Sequence, residues 1–247
     1  MQKTCIILPC YNEEKRLSIK YFQTFYQHPS SELIDLYFVN DGSTDNTLNV
    51  LHRLCRINEN HMKVYDMPEN AGKAEAVRKS VLKVSDDDTY GCIGYFDGDL
   101  STPLEEAFLL LENLDKNTNF QVAFGSRIKR MGASINRYIP RHYLGRVFAT
   151  AASILLNLPV YDTQCGAKLF NRELANRIFR EKFISRWLFD IELFARIIEL
   201  FGMEETKKMM IEVPLNRWVD RGDSKITAKD IMKVPFEFLK IGVRYKT

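Results

Sequence analysis

Short apolar runs alternate with amphipathic segments along the first half of the chain. The runs at residues 4–8, 34–39, 62–65, 92–96 and 121–124 are rich in β-branched and aromatic side chains and predict strands. Between them, segments 13–26, 44–58, 74–84 and 104–115 carry apolar residues at helical spacing. Ser43-Thr44-Asp45 and Ser101-Thr102 supply cap residues, and Pro103 suits a first helical turn. Nearly continuous apolar strands alternating with helices predict a mostly parallel sheet covered on both faces. The second half is less regular. A basic loop at 128–141 leads into a long helix at 143–158, a helix near 173–180, a strand near 209–214 and a turn at 221–225. Residues 228–245 place Lys233, Glu237, Lys240 and Arg244 on one stripe of a helix, with apolar residues on the remainder and Pro235 as a kink. Such a helix packs on the domain or lies in a membrane interface.

Sheets of this class bind ligands beyond the carboxyl ends of their strands. Every predicted strand of the first half runs into a polar cluster. The clusters are Pro9-Cys10-Tyr11-Asn12-Glu13, Asn40-Asp41-Gly42-Ser43, Asn70-Ala71-Gly72-Lys73, Asp97-Gly98-Asp99 and Gly125-Ser126-Arg127. All five are therefore expected on one edge. Alternation along an extended chain would put Asp97 and Asp99 on one side, offering hard oxygen ligands to Mg²⁺ or Mn²⁺. The 70–73 segment is not a Walker loop, because the spacing between its glycine and an earlier one is missing.

Composition narrows the picture without deciding it. The chain has 247 residues, 45% of them hydrophobic, and a formal net charge of +3, as an ordinary globular protein has, with no basicity that calls for nucleic acid. The five cysteines include no C-x-x-C pair and read as reduced thiols of a cytosolic protein. The four histidines show no ligand spacing. The chain opens directly on strand-like sequence, and no stretch reaches the roughly 20 apolar residues that span a bilayer, so neither a signal peptide nor a membrane-spanning anchor is expected.

The motifs resemble those of inverting family-2 glycosyltransferases with the GT-A fold, a single α/β domain with a mostly parallel mixed sheet. Within that group the chain is similar to the dolichyl-phosphate and polyprenyl-phosphate β-glucosyltransferases. The residues that carry the resemblance in the first half are 7–14, Val39-Asn40-Asp41-Gly42-Ser43-Thr44-Asp45 and the Asp97–Asp99 triplet. In the second half they are Asp162-Thr163-Gln164-Cys165-Gly166 with Lys168, Arg186-Trp187 with Phe189-Asp190 and Glu192, Ser224-Lys225, and Arg244-Tyr245. The resemblance implies a nucleotide-sugar half at 1–127 and an acceptor-side half at 128–247. Pro9, Tyr11, Asn12, Glu13, Asp41, Gly72, Lys73 and Asp97 would bind the donor, and Asp97 and Asp99 the metal. Arg137, Arg141, Gln164, Lys168, Trp187, Ser224 and Lys225 would face the acceptor, with Arg127 on the basic side of the reacting centre.

The expected reaction moves a hexose, most simply from UDP-glucose, to a polyprenyl phosphate at the cytosolic membrane face, through peripheral contact. A phosphate monoester has a second pKa of about 6 and needs positioning more than deprotonation. A hydroxyl acceptor would need a carboxylate base, for which Asp190, Glu192 and Asp162 are the candidates. A glycan or other hydroxyl acceptor, and a nucleotide-sugar-binding protein without turnover, are the alternatives. The sequence leaves UDP against GDP, the sugar and the oligomeric state open.

Overall fold

The computed structural model describes residues 2–136, 139–222 and 228–245, with the side chains of 139–144 and 228–232 not described. A seven-stranded sheet has the order β3-β2-β1-β4-β7-β5-β8. Its strands are β1 (Lys3–Cys10), β2 (Ile34–Asp41), β3 (Met62–Met67), β4 (Tyr90–Phe96), β5 (Val122–Ser126), β7 (Ala167–Asn171) and β8 (Met210–Pro214). Only β7 runs against its neighbours, β4 and β5. A separate parallel pair joins β6 (Ser134–Asn136) to β9 (Arg217–Val219). Strands from both halves share the one sheet, which makes the chain a single α/β domain with a mixed, mostly parallel sheet.

Alternation explains why the strands read as unbroken apolar runs. Along β1, Cys5 and Ile7 enter one core, while Ile6 and Leu8 enter the other. The first core is closed by α3 (Lys73–Ser85), α5 (Ile139–Leu156), α6 (Arg172–Ile178), α7 (Phe189–Phe201) and α9 (Ala228–Tyr245). The second is closed by α1 (Ile19–Phe25), α2 (Thr47–Cys55), α4 (Glu106–Asp115) and the β6–β9 pair, through Ile135 and Trp218. A strand buried on both faces has no polar side to show. The short α8 (Met203–Met209) leads into β8.

Several expectations are corrected in detail. The helix predicted over 13–26 forms only from Ile19, and that over 44–58 only from Thr47, where the Asp45 carboxylate accepts from the Thr47 backbone N–H and hydroxyl at 3.0 and 2.6 Å. The basic loop contains β6. Strand β7 is not evident in the sequence because a lysine interrupts its apolar run, and helix α7 is masked by three charged residues that are buried, Asp190, Glu192 and Arg196. All five cysteines are free, four of them buried, and burial pushes the Cys165 thiol up to about 12.

Candidate active site

Because β1, β2, β3 and β4 are parallel, and β5 pairs with β7 as β4 does, the five polar clusters fall on one sheet edge. The loop after β1 is bound to the loop after β2. Asn12 takes φ +53, a conformation that asparagine tolerates well, and its side-chain oxygen accepts from the Thr44 N–H at 2.8 Å. Its own N–H donates to Ser43 Oγ at 3.1 Å. Glu13 donates its N–H to Thr47 Oγ1 at 2.8 Å, and its carboxylate pairs with Arg16 at 2.7 Å. Pro9 and Tyr11 are half-buried, and Pro9 O lies 2.1 Å from where a side chain on Gly98 would begin. The β1 and β4 loops are thus in backbone contact.

Asp41 shapes the next loop. Its two carboxylate oxygens accept from the N–H groups of Ala71 and Gly72 at 2.8 and 2.9 Å, and its carbonyl accepts from Asn70 Nδ2 at 3.0 Å. Burial raises the Asp41 carboxyl above its ordinary value, while these N–H groups and the nearby Arg186 pull the other way. Gly72 takes φ +89 at the start of α3, so the chain turns there at little cost. The turn aims Lys73 at Asp97, with Nζ 2.5 Å from Oδ1. Lys73 also lies 5.6 and 5.3 Å from the ring centres of Tyr95 and Phe189. Burial works against the ammonium charge, but Asp97 and then Asp190 outweigh it and hold Lys73 above its ordinary value.

Strand β4 stops at Phe96, so it is a turn, not strand alternation, that presents Asp97 and Asp99. Leu100 takes φ +55 in that turn and donates its N–H to Asp97 O at 3.0 Å. Holding a leucine there costs on the order of 1 kcal/mol. Asp99 Oδ1 accepts from the Ser101 N–H at 2.9 Å. The Asp97 N–H donates to Gly166 O at 2.9 Å, and a Cβ on Gly166 would stand 2.0 Å from Asp97 Oδ2. Burial raises the Asp97 carboxyl, Lys73 lowers it, and Asp99 raises it again. A cation beside these two carboxylates would relieve both burial and mutual repulsion. Among the described residues no group of three or more His, Cys, Asp or Glu could enclose a metal. Two carboxylates suit a hard divalent ion that takes its other ligands from phosphate and water.

The candidate bases are each paired with a cation. Asp190, early in α7, accepts from both Lys168 Nζ and Tyr95 OH, and Lys168 also donates to Cys165 O at 2.7 Å. Lys168 and Tyr95 have 0% exposure and Asp190 3%, so Lys168 cannot face an acceptor as the sequence suggested. Removing one member of such a pair strands a buried charge, at a cost of about 3–5 kcal/mol. Asp162 receives Arg127 in a fork, Nε to Oδ2 at 2.6 Å and a terminal nitrogen to Oδ1 at 2.8 Å. Burial opposes the Arg127 charge, and Asp162 more than restores it. The guanidinium also lies 5.4 Å from the Trp218 ring centre.

Glu192 belongs to the scaffold. It is fully buried and accepts from Arg196 at 2.8 Å, Tyr245 OH at 2.9 Å and the Ile184 N–H at 2.8 Å, which ties α9 to α7. Trp187 is half-buried against the core, its N–H donating to Ser185 Oγ at 3.2 Å. Gln164 donates its N–H to Asp162 Oδ1 at 3.2 Å, and its side-chain nitrogen is buried with no hydrogen-bond partner among the described residues. Arg137, Ser224, Lys225 and the side chain of Arg141 lie outside the described residues. Arg186 and Gly166 stand within the motifs that carry the resemblance, but the sequence assigned neither a role, because a glycine's packing and an arginine's neighbours are set by distant segments.

A mostly parallel sheet with its polar clusters on one edge, a carboxylate pair met by a lysine there and an arginine beside them fit a glycosyltransferase of the GT-A fold. Residues 5–179 match the family model described as glycosyl transferase family 2, and the chain belongs to that family. It is similar to the dolichyl-phosphate beta-glucosyltransferase of Drosophila melanogaster, with 31% identity over 235 residues covering 90% of this chain and 68% of the relative. A Trichomonas vaginalis dolichyl-phosphate beta-glucosyltransferase is 29% identical over 254 residues, covering 98% and 72%, and the human one is 28% identical over 258 residues, covering 98% and 75%. The fold matches that of glucosyl-3-phosphoglycerate synthase from Mycobacterium tuberculosis, crystallised with Mn²⁺ and UDP-glucose. That match has a TM-score of 0.66 and 17% identity, and covers 97% of this chain and 79% of that one.

Proposed function

We propose that this enzyme transfers glucose from UDP-glucose to a polyprenyl phosphate, with inversion at the anomeric carbon. Residues 1–127 form the donor half and 128–247 the acceptor half. The observation that carries the acceptor class is the condition of the three candidate bases. Asp162, Asp190 and Glu192 are 5%, 3% and 0% exposed, and each is paired with a cation, Arg127, Lys168 and Arg196. None stands free to meet an acceptor hydroxyl. A phosphate oxygen, already ionised near neutral pH, needs no such base. It would attack the anomeric carbon opposite the departing nucleoside diphosphate, and the enzyme's work is alignment and charge stabilisation.

As the glycosidic bond breaks, negative charge grows on the diphosphate, which Lys73 at the start of α3 would meet. Asp97 and Asp99 would hold Mg²⁺ or Mn²⁺, which when bound supplies further positive charge against that leaving group. The Gln164 side-chain nitrogen, without a hydrogen-bond partner among the described residues, offers a donor for a sugar hydroxyl. Pro9, Tyr11, Asn12 and Glu13, with Asp41, would frame the nucleobase and ribose. The dolichyl-phosphate transferases that resemble this chain support the acceptor, and the structural neighbour crystallised with UDP-glucose supports the donor.

A lipid acceptor requires contact with a membrane. Among the described residues no helix is long and apolar enough to cross one. Helices α5 and α9 instead expose Val147, Ile154, Phe236, Leu239 and Val243, each at 65% or more. Phe148 and Phe238 join the two helices at 5.1 Å between ring centres, so this face is shared by both. With Lys233, Lys240 and Arg244 also exposed on α9, it suits peripheral contact with an anionic surface. The donor assignment is tested by thermal denaturation with UDP, GDP, UDP-glucose and GDP-mannose, each with and without Mn²⁺. UDP and UDP-glucose should raise the melting temperature, and more so with Mn²⁺. No shift with any nucleotide in folded protein contradicts the assignment.

A further inference from the structure

Arg186 is an exposed residue on the segment between α6 and α7, in the half of the chain assigned to the acceptor. Its guanidinium nevertheless lies on the donor loop. A Cβ at Gly72 would stand 2.6, 2.9 and 3.2 Å from its terminal nitrogen, Nε and Cζ, so the group lies over the Gly72 backbone. It also acts on the Asp41 carboxylate that holds this loop. Gly72 therefore lacks a side chain for two reasons, its φ of +89 and the guanidinium above it.

Among the described residues, the cations around this loop have partners and Arg186 has none. Arg127 is forked onto Asp162, and Lys73 is paired with Asp97. Arg78, half-buried on α3, is bound to Glu75 and to Arg180 O. Arg186 makes no hydrogen bond or ion pair among the described residues, so none of the five N–H donors of its planar fork has a partner among them. It is held next to the first turn of α3, one residue from Lys73. The segment that carries it is itself fixed. Ser185 Oγ accepts from the N–H groups of Trp187 and Leu188 and donates to Glu237 of α9.

From this placement we infer that Arg186 is a donor-binding residue: its guanidinium grips the diphosphate of the nucleotide sugar, so that the acceptor half clasps the donor. The inference rests on the nucleotide-sugar reading of the site and adds a contact across the two halves. A planar fork suits phosphate oxygens, whereas a lysine in its place offers only a point charge. The same cation would oppose the charge that grows on the leaving diphosphate.

The test is calorimetric titration of the whole protein and of its Arg186→Gln and Arg186→Lys variants with UDP, UMP and uridine in Mg²⁺. GDP, GMP and guanosine are run in parallel. Because the side chain is exposed and unpaired, both variants should keep the parent melting temperature. Arg186→Gln should weaken diphosphate binding by about tenfold or more, Arg186→Lys by less, and neither should change nucleoside binding more than about twofold. An equal loss for uridine and UDP would assign the residue to the base and overturn the inference. So would unchanged UDP and GDP affinity in both variants. If the parent protein binds no nucleotide at all, the donor reading fails along with it, whereas loss confined to the variants leaves that reading intact.

Discussion

At Gly166 there is no room for a methyl group. A Cβ would stand 2.0–2.3 Å from the atoms of the Asp97 carboxylate, the side chain that meets Lys73. Gly166→Ala should therefore displace Asp97 and lower turnover by about a hundredfold, the scale of an ångström misplacement in an active site. Circular dichroism should show a folded protein. Parent-level turnover in the alanine variant would mean that Asp97 is not positioned for the reaction. Residues at this scale were partly legible in the sequence. The carboxylate pair, Lys73 and Arg127 announce themselves by following strands. Lys168 and Glu192 do not, because a charge buried against an opposite charge, Asp190 for the one and Arg196 for the other, has the same sequence signature as one facing a ligand.

Helix α4 shows how an element can be held by one buried acid. Glu106, 4% exposed, accepts from the N–H groups of Asn216 and Arg217 at 2.9 Å each and so fixes the start of β9. Burial raises its carboxyl above the ordinary 4.5, against the pull of those N–H groups. Between 4.5 and the raised folded value, the folded protein keeps a proton that the unfolded chain has released. The stability this group contributes is full below 4.5 and is lost as pH rises through the folded value. Unfolding free energies from about pH 4 to about pH 7 should therefore show the parent losing stability relative to Glu106→Gln as pH rises. A difference that moves the other way would contradict this. For α9, the paired change Leu239→Ser and Val243→Ser should lower sedimentation with anionic vesicles by at least about tenfold, without lowering the melting temperature. Unchanged sedimentation would place the membrane contact elsewhere. The helix α9 was legible, but which of its residues pack was not: Ile241 is buried while the equally apolar Leu239 and Val243 are exposed, and Glu237 of the polar stripe is half-buried against Ser185. The three-residue strands β6 and β9 were not, being too short to carry a period.

For the molecule as a whole, the alternation of strands and helices was enough to predict a sheet with one functional edge, because parallel strands place all their carboxyl ends together. The exception is β7. It enters antiparallel between β4 and β5, and by doing so brings Gly166, Lys168 and, through them, Asp190 up to the edge from the second half of the chain. Asp190 is paired there with Lys168, as Asp162 is with Arg127 and Glu192 with Arg196, and the proposed acceptor is accordingly one that arrives already ionised. The direct measurement is transfer of labelled glucose from UDP-glucose, with Mg²⁺ or Mn²⁺, to polyprenyl phosphate and to the same polyprenol without its phosphate. Label should pass to polyprenyl phosphate with release of UDP, and none should pass to the free alcohol. Transfer to the alcohol or to a sugar hydroxyl at a comparable rate would contradict the account, because it would require a base that the three paired carboxylates do not provide.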